Sequence, residues 1–266
     1  MTNREIKRRI GSVKETVKIY RAMYSISVVK MMRTRAALPA ADRFFLSSRE
    51  VMSRVFDPSS DYFRERGQKT AFIVIGGDKG LCGDYNDRLV HYAISVLKKS
   101  EERFLFTVGN VTREMLSKSG FEADVEFLHS ADNPSPESAY SMAADLINLF
   151  EEGMLDEIRL VYSVVTGNHT HPVEERVLPF TERGEALYDG ATEGALARAL
   201  YAYLASALYR ALIHASLAEH LERVKAMPQA TENAEKMIAD LTAKYNKVRQ
   251  EGITRALQDA GIPTDN

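Results

Sequence analysis

Four groups of residues in this chain of 266 have types and spacings that could do chemistry. The first is the glycine-punctuated run Gly76-Gly-Asp-Lys-Gly-Leu-Cys-Gly83, which follows an apolar stretch and precedes a helical one. Turns of this kind can cradle phosphate on backbone N–H groups. The spacing does not support that use: there is no G-x-x-x-x-G-K-[ST], and Gly77, Gly80 and Gly83 do not make G-x-G-x-x-G. We read Gly76, Gly77, Gly80, Cys82 and Gly83 as a structural turn whose glycines supply positive φ. Cys82, the second candidate, is the sole cysteine, so neither an internal disulfide nor a cysteine-based zinc site can form. Between Leu81 and Gly83 it reads as buried packing, not as a nucleophile. Third, His169 and His171 stand at i, i+2 in Gly167-Asn-His-Thr-His-Pro172, with no carboxylate before Glu174 and Glu175. Such a pair binds metal weakly, and the stretch reads as a solvated loop. No catalytic residue, metal or cofactor is assigned.

The fourth group is electrostatic. Residues 1–35 carry ten Lys/Arg against Glu5 and Glu15, a local charge of +8 in a chain whose formal net charge is -2. A helix charged this way seeks an acidic partner, whether nucleic acid, an anionic membrane or an acidic protein surface. Hydrophobic residues at 45% and charged residues at 27% exclude wholesale disorder. No apolar run approaches the ~20 residues of a membrane span. The basic N-terminus superficially resembles a mitochondrial presequence. Its seven-residue stripe runs on past the length a presequence needs, so we read it as mature structure.

These residues must be positioned by two kinds of element. Ile6, Ile10, Val13, Val17, Tyr20, Tyr24, Ser27 and Met31 recur at steps of four and three, as do Ala234, Ile238, Leu241, Tyr245, Val248 and Gly252. That is coiled-coil spacing. Segments at opposite termini can pair only if the chain folds back, giving a rod on a globular base. The first helix is expected from about Arg4 into the fifties, with a kink or short interruption near Leu38 before Pro39. The last is expected from about Thr192 to Asp259, followed by a stop at Gly261–Asn266. Between them the period changes. Strands are expected at 71–75, 104–108, 125–128 and 159–165, with an edge strand at 175–180, because Pro179 cannot donate to a ladder. Helices are expected at 86–99, 111–117 and 137–150. This alternation predicts an α/β body with a mainly parallel sheet and a Rossmann-like winding. The expected domains are 1–56 and 191–266 as a long antiparallel coiled coil, and 57–190 as the α/β foot.

Three blocks of residues now carry a resemblance that covers nearly the whole chain. They are Ile6-Lys-Arg-Arg-Ile-Gly-Ser-Val-Lys14 continuing to Ala22-Met23 and Lys30; Asp78–Gly83 with Asn86; and Ala226-Met227, Ala230-Thr231, Asn233-Ala234, Tyr245-Asn-Lys247, Arg249-Gln250 and Ile253-Thr254. In this order and on this architecture, the chain resembles the gamma subunit, the central-stalk rotor, of the F-type rotary ATP synthase, as a divergent bacterial member. The resemblance implies a non-catalytic shaft that turns inside a ring of alpha and beta subunits and couples ion flow to ATP synthesis or hydrolysis. It implies a foot against the epsilon subunit and the membrane c-ring, with no nucleic acid bound and no direct membrane span, on the cytoplasmic face of a bacterial plasma membrane. The implied ring contacts are Arg8, Arg9, Lys18, Met23, Lys30, Arg33, Met227, Thr231, Asn233, Arg249, Gln250 and Thr254.

The chain departs from the family's pattern at Pro228, where a lysine is usual, at Asp84, and at Val28 and Val29. Pro228 removes the partner of the Val224 carbonyl, a cost of about 3 kcal/mol relative to alanine in a straight helix. The steps Leu221, Val224, Met227 are two successive threes, a stammer that overwinds a coil locally. Two other readings remain: an α/β enzyme that binds a nucleotide at the Gly76–Gly83 turn, and a coiled-coil adaptor or nucleic-acid binder. The last lacks aromatic stacking platforms on its basic face.

Overall fold

The computed structural model describes residues 2–124, 127, 129–184 and 193–259. In chain order these form α1 (Asn3–Arg54), a 3-10 turn at Asp61–Phe63, β1 (Thr70–Ile75), α2 (Tyr85–Leu97), β2 (Arg103–Val108), α3 (Asn110–Lys118), α4 (Pro136–Glu151), β3 (Glu157–Thr166), β4 (His169–Leu178) and α5 (Glu193–Asp259). They divide into two compact units, Met1–Ser27 with Arg223–Asn266, and Val28–Glu222.

In the first unit the opening of α1 packs along the end of α5. A reciprocal cap starts the helix: the Glu5 N–H donates to the Thr2 hydroxyl at 3.3 Å, and the Thr2 N–H donates to the Glu5 carboxylate at 2.8 Å. That is the Ser/Thr-x-x-Glu box, which satisfies donors a helix start leaves unpaired. Ile6, Val17 and Ser27 on α1 are buried, as are Met227 and Ala234 on α5. Burying an Ile, Val or Met side chain is worth about 1.5–3 kcal/mol. The heptad stripe holds from Ile6 to Tyr20 and from Ala234 to Val248, each member at least half-buried. It fails at Tyr24, 40% exposed, and at Gly252, which is exposed. Near Tyr24 the inward position falls to Met23 instead. An ideal helix turns 3.6 residues, so a strict seven-residue count drifts off the seam.

In the second unit a four-stranded sheet runs in the order β2-β1-β3-β4. β1 pairs parallel with β2 and with β3, while β3 and β4 pair antiparallel. Every residue of β1 is buried, because both faces are covered. Phe72 and Val74 face α2 and α3 through Leu89, Val90, Ala93, Leu97 and Leu116. Ala71, Ile73 and Ile75 share the larger core with α4, with α5 from Ala199 to Ala215, and with Phe45 and Met52 of α1. Ser135 caps α4, accepting from the Ser138 N–H at 3.1 Å, with Pro136 at the first helical position. Both are favoured there, since the serine oxygen fills an orphan donor and proline has none to lose.

Two expectations change, and a third falls largely outside the described residues. α1 is helical without interruption through Leu38 and Pro39. Arg35 and Pro39 are both exposed, so water can take the carbonyl that proline leaves unpaired. The stretch 167–172 is a hairpin, not a loop: Thr166 pairs with His169 across a two-residue turn whose first residue, Gly167, takes φ 63. Glycine at that position suits the II′ class of hairpin turn. The edge strand therefore begins at His169, not Glu175, and stops at Leu178 before Pro179. Of the strand expected at 125–128, Val125, Glu126 and Leu128 lie outside the described residues. Phe127 is in no strand, and the pairing nearby is a single bridge from Val108 to His129. The stop at Gly261–Asn266 and the segment 185–192 also lie outside the described residues.

Candidate functional site

The residues expected to meet a partner lie on helical surfaces. Arg8, Arg9, Lys18, Asn233, Arg249, Gln250 and Thr254 are exposed in the first unit, and Arg33 is exposed in the second. Met23 and Thr231 are half-buried, and Met227 is 1% exposed, so these three face the helix–helix seam. Lys18 bonds Glu15 one turn away at 2.7 Å, and Arg21 reaches Glu235 across the seam at 2.7 Å. Both ion pairs are at least half exposed, where such pairs are worth at most about 1 kcal/mol. Arg8, Arg9 and Arg33 make no ion pair with any described residue. Beside Arg21, a groove of about 470 Å3 is lined by Tyr24, Ser25, Pro228, Thr231 and Glu232. α5 passes through Pro228 without a break.

The glycine turn is a junction, not a phosphate cradle. A Cβ at Gly76 would lie 2.1 Å from the Thr112 hydroxyl and 2.7 Å from Leu89 Cδ2, and one at Gly77 would lie 2.8 Å from Asn86 Oδ1. These glycines permit close packing of β1 against α2 and α3. Positive φ belongs to Gly83 and, against expectation, to the non-glycine Leu81, both at 62°. A Cβ at Gly80 would meet open space. Cys82 is 1% exposed and packs with Tyr85, Ala218 and Val165. The Asn86 side chain links the turn by accepting from the Gly77 N–H at 3.2 Å and donating to Cys82 Sγ at 3.3 Å.

Asp78, quoted from the sequence only as the start of the Asp78–Gly83 block, is the organising residue. One carboxylate oxygen accepts from the Asn110 N–H at 3.0 Å. The other accepts from the Ser130 hydroxyl at 2.6 Å and from the N–H groups of Ala131 and Asp132 at 2.8 and 3.0 Å. Charge-assisted bonds of this kind are stronger than neutral ones. They fix Asp132 where Lys30 meets it at 2.5 Å and Lys79 at 3.0 Å. Burial pushes the Asp132 carboxyl up, but the two lysines outweigh it and hold it below its ordinary value. Lys30 is thus engaged within its own unit.

A second charged cluster lies between the helices and the β3–β4 hairpin. Glu175 pairs with Arg210, whose guanidinium lies 3.8 Å from the Phe45 ring centre, and accepts from the Tyr162 hydroxyl at 2.8 Å. His214 stands 3.8 Å from Asp42, with a buried Nδ1 that has no hydrogen-bond partner among the described residues. Burial lowers its pKa, and the Asp42 charge only partly opposes this. His169 and His171 are exposed on β4. Among the described residues, no three His, Cys, Asp or Glu side chains group in a way that could hold a metal ion. No described helix is long and apolar enough to cross a membrane.

Comparison with known proteins matches this arrangement along nearly its whole length. The family model described as ATP synthase matches residues 2–260. The chain is 32% identical to the ATP synthase gamma chain of Caldanaerobacter subterraneus subsp. tengcongensis, covering 97% of both chains. It is 30% identical to that of Halothermothrix orenii, covering 97% of this chain and 96% of the relative. Its fold matches a chain of the Euglena gracilis mitochondrial ATP synthase rotor with a TM-score of 0.71 at 16% identity, covering 94% of this chain and 98% of that one. A chain of the Tetrahymena thermophila central stalk and c-ring matches at 0.56 and 21%, covering 80% and 99%.

Proposed function

The chain belongs to the ATP synthase gamma chain family, and from that premise we propose that it is the rotating central shaft of an F-type ATP synthase. The observation that carries this reading is the pairing of the chain's two ends: residues 1–27 and 223–266 form one unit, and Arg21 bonds Glu235, 214 residues away. Two helices locked by side-chain packing resist bending better than one, as transmission of torque requires. The shaft supplies no catalytic group. Ion flow through a membrane c-ring turns it, and its rotation drives nucleotide sites in the surrounding alpha and beta subunits through their conformations. The epsilon subunit binds the foot, and the assembly sits peripherally on the cytoplasmic face of the membrane.

We assign the ring contacts to the exposed members of the set: Arg8, Arg9, Lys18, Arg33, Asn233, Arg249, Gln250 and Thr254. Their excess positive charge suits acidic loops on the ring, speeding and orienting assembly. The test is co-purification from the native host. A tagged chain should recover alpha and beta subunits in stoichiometric excess over itself, together with epsilon. Recovery of the chain alone, or saturable nucleotide binding by the isolated chain in equilibrium dialysis, would overturn the shaft reading and favour an independent enzyme.

A further inference from the structure

Within the second unit, α1, α5 and the loop held by Asp78 enclose a cavity of about 230 Å3. At about 30 Å3 per water, it has room for a small solute and several waters. It is below the ~300 Å3 at which sites for larger organic ligands begin. Lys30 and Arg33, one turn apart on α1, line it together with Asp132, Asn133, Tyr209 and His220. Ala37, Pro134 and Ile213 supply apolar wall.

The charge in this space is unbalanced. Lys30 and Lys79 share the single carboxylate of Asp132, so Lys30 is only partly neutralised. Arg33 has no ion-pair partner among the described residues. A guanidinium offers parallel N–H donors in a rigid fork that fits two oxygens of one oxyanion. The Asn133 amide and the Tyr209 hydroxyl each add hydrogen-bonding capacity. The loop wall is fixed in advance, since Asp78 binds Ser130, Ala131 and Asp132, which lowers the cost of ordering a ligand.

We propose that this cavity binds a small tetrahedral oxyanion of the phosphate class, held by Arg33 and Lys30. It does not depend on the shaft reading, although Arg33 is also one of the residues that reading gives to the ring, and its test needs no other subunit. Chloride, a single acceptor centre, cannot span the two parallel donors of the fork as two oxygens of one anion do, and the cavity holds a phosphate group but not a whole nucleotide. The Asp132 carboxylate, on the same wall, opposes the anion and tunes the site toward weak, reversible occupancy.

The test is titration of the full-length chain with inorganic phosphate, by calorimetry and by 31P line broadening, with sulfate and chloride arms at equal ionic strength. Phosphate should bind saturably, sulfate should compete and chloride should not. Arg33→Gln should weaken binding by about tenfold or more, as loss of a charge-assisted pair implies. Asp132→Asn should tighten binding, a gain that a misfolded variant cannot produce. Absence of saturable binding, an unchanged affinity in Arg33→Gln, a weakened or unchanged one in Asp132→Asn, or an equal response to chloride would each overturn the proposal.

Discussion

Replacing Gly76 with alanine measures how tightly the β1–α2 turn is built. The new methyl carbon would sit 2.1 Å from Thr112 Oγ1, 3.1 Å from Thr112 Cβ and 2.7 Å from Leu89 Cδ2, where ordinary contacts begin at 3.4 Å. Both neighbours are fully buried. The Thr112 hydroxyl has no hydrogen-bond partner among the described residues, so rotating it sacrifices none there, yet its Cβ still crowds the new methyl. Gly76 itself cannot retreat freely, because its N–H donates to the Val108 carbonyl at 2.9 Å. Overpacking of this kind costs about 1–3 kcal/mol. Alanine returns about 0.4–1 kcal/mol by restricting the unfolded chain, leaving a net loss of about 1–2 kcal/mol. Gly80 is the internal control, since a Cβ added there would meet nothing within 4 Å and its φ is not positive, so Gly80→Ala should be neutral or slightly stabilising. Guanidinium unfolding of the full chain should therefore separate the two variants by about 2 kcal/mol at unchanged m-value. If they agree within about 0.5 kcal/mol, the usual scatter of benign substitutions, the close-packing account of this turn is wrong.

Pro228→Ala should raise thermal stability, because it restores a donor to the Val224 carbonyl; the gain is up to about 3 kcal/mol, reduced by whatever the ring contributes to the groove beside Tyr24. An unchanged or lower melting temperature would mean that the seam is shaped around the proline. For His214 the folded pKa is depressed, so its contribution is complete above its ordinary value of 6.5 and is lost as pH falls through the window below it. Asp42 on α1, Glu175 on β4 and Arg210 on α5 all act on this ring, and the Tyr162 ring on β3 lies beside it with centroids 6.0 Å apart. The wild type should lose more stability than His214→Gln between about pH 7 and 5, and His129, lowered mainly by burial, should leave a residual slope. A double-mutant cycle on Arg21 and Glu235 should give a coupling of no more than about 1 kcal/mol, falling with salt, since both side chains are at least half exposed. A larger, salt-insensitive value would mean that the pair is shielded in solution.

How much of this could be read from the residues follows from the range of the forces involved. β1 was legible because burial on both faces demands an uninterrupted apolar run, Ala71 to Ile75. α4 was legible because its caps are local: Ser135, Pro136 and a periodic apolar face. The β4 edge was misread because His169, Thr170, His171 and Pro172 look like loop by composition. What makes them a strand is a hairpin turn and the backbone of β3, with Thr170 buried between two exposed histidines. Positive φ was the reason expected for the glycines of the turn, but Gly76 and Gly77 instead accommodate Thr112 and Asn86, which tertiary packing sets. Asp78 and the cavity were invisible for the same cause. Asp78 meets residues 52 to 54 positions away, and the cavity walls come from three separated stretches of chain.

The charge pattern links these levels. Of the seven cations in residues 1–27, Lys18 and Arg21 have described ion-pair partners, and all seven side chains stand exposed. Concentrated like charge repels itself and disfavours the compact state, so folding alone does not account for the excess. The buried positions of the same helix, Ile6, Val17 and Ser27, already satisfy its pairing with α5. Two faces of one helix thus answer two different demands. The apolar face is consumed inside the unit, and the basic face remains available for an acidic surface outside it. Lys30 marks the contrast: in the second unit a lysine on α1 is drawn inward by Asp132, and the cation beside it, Arg33, is left to whatever anion approaches.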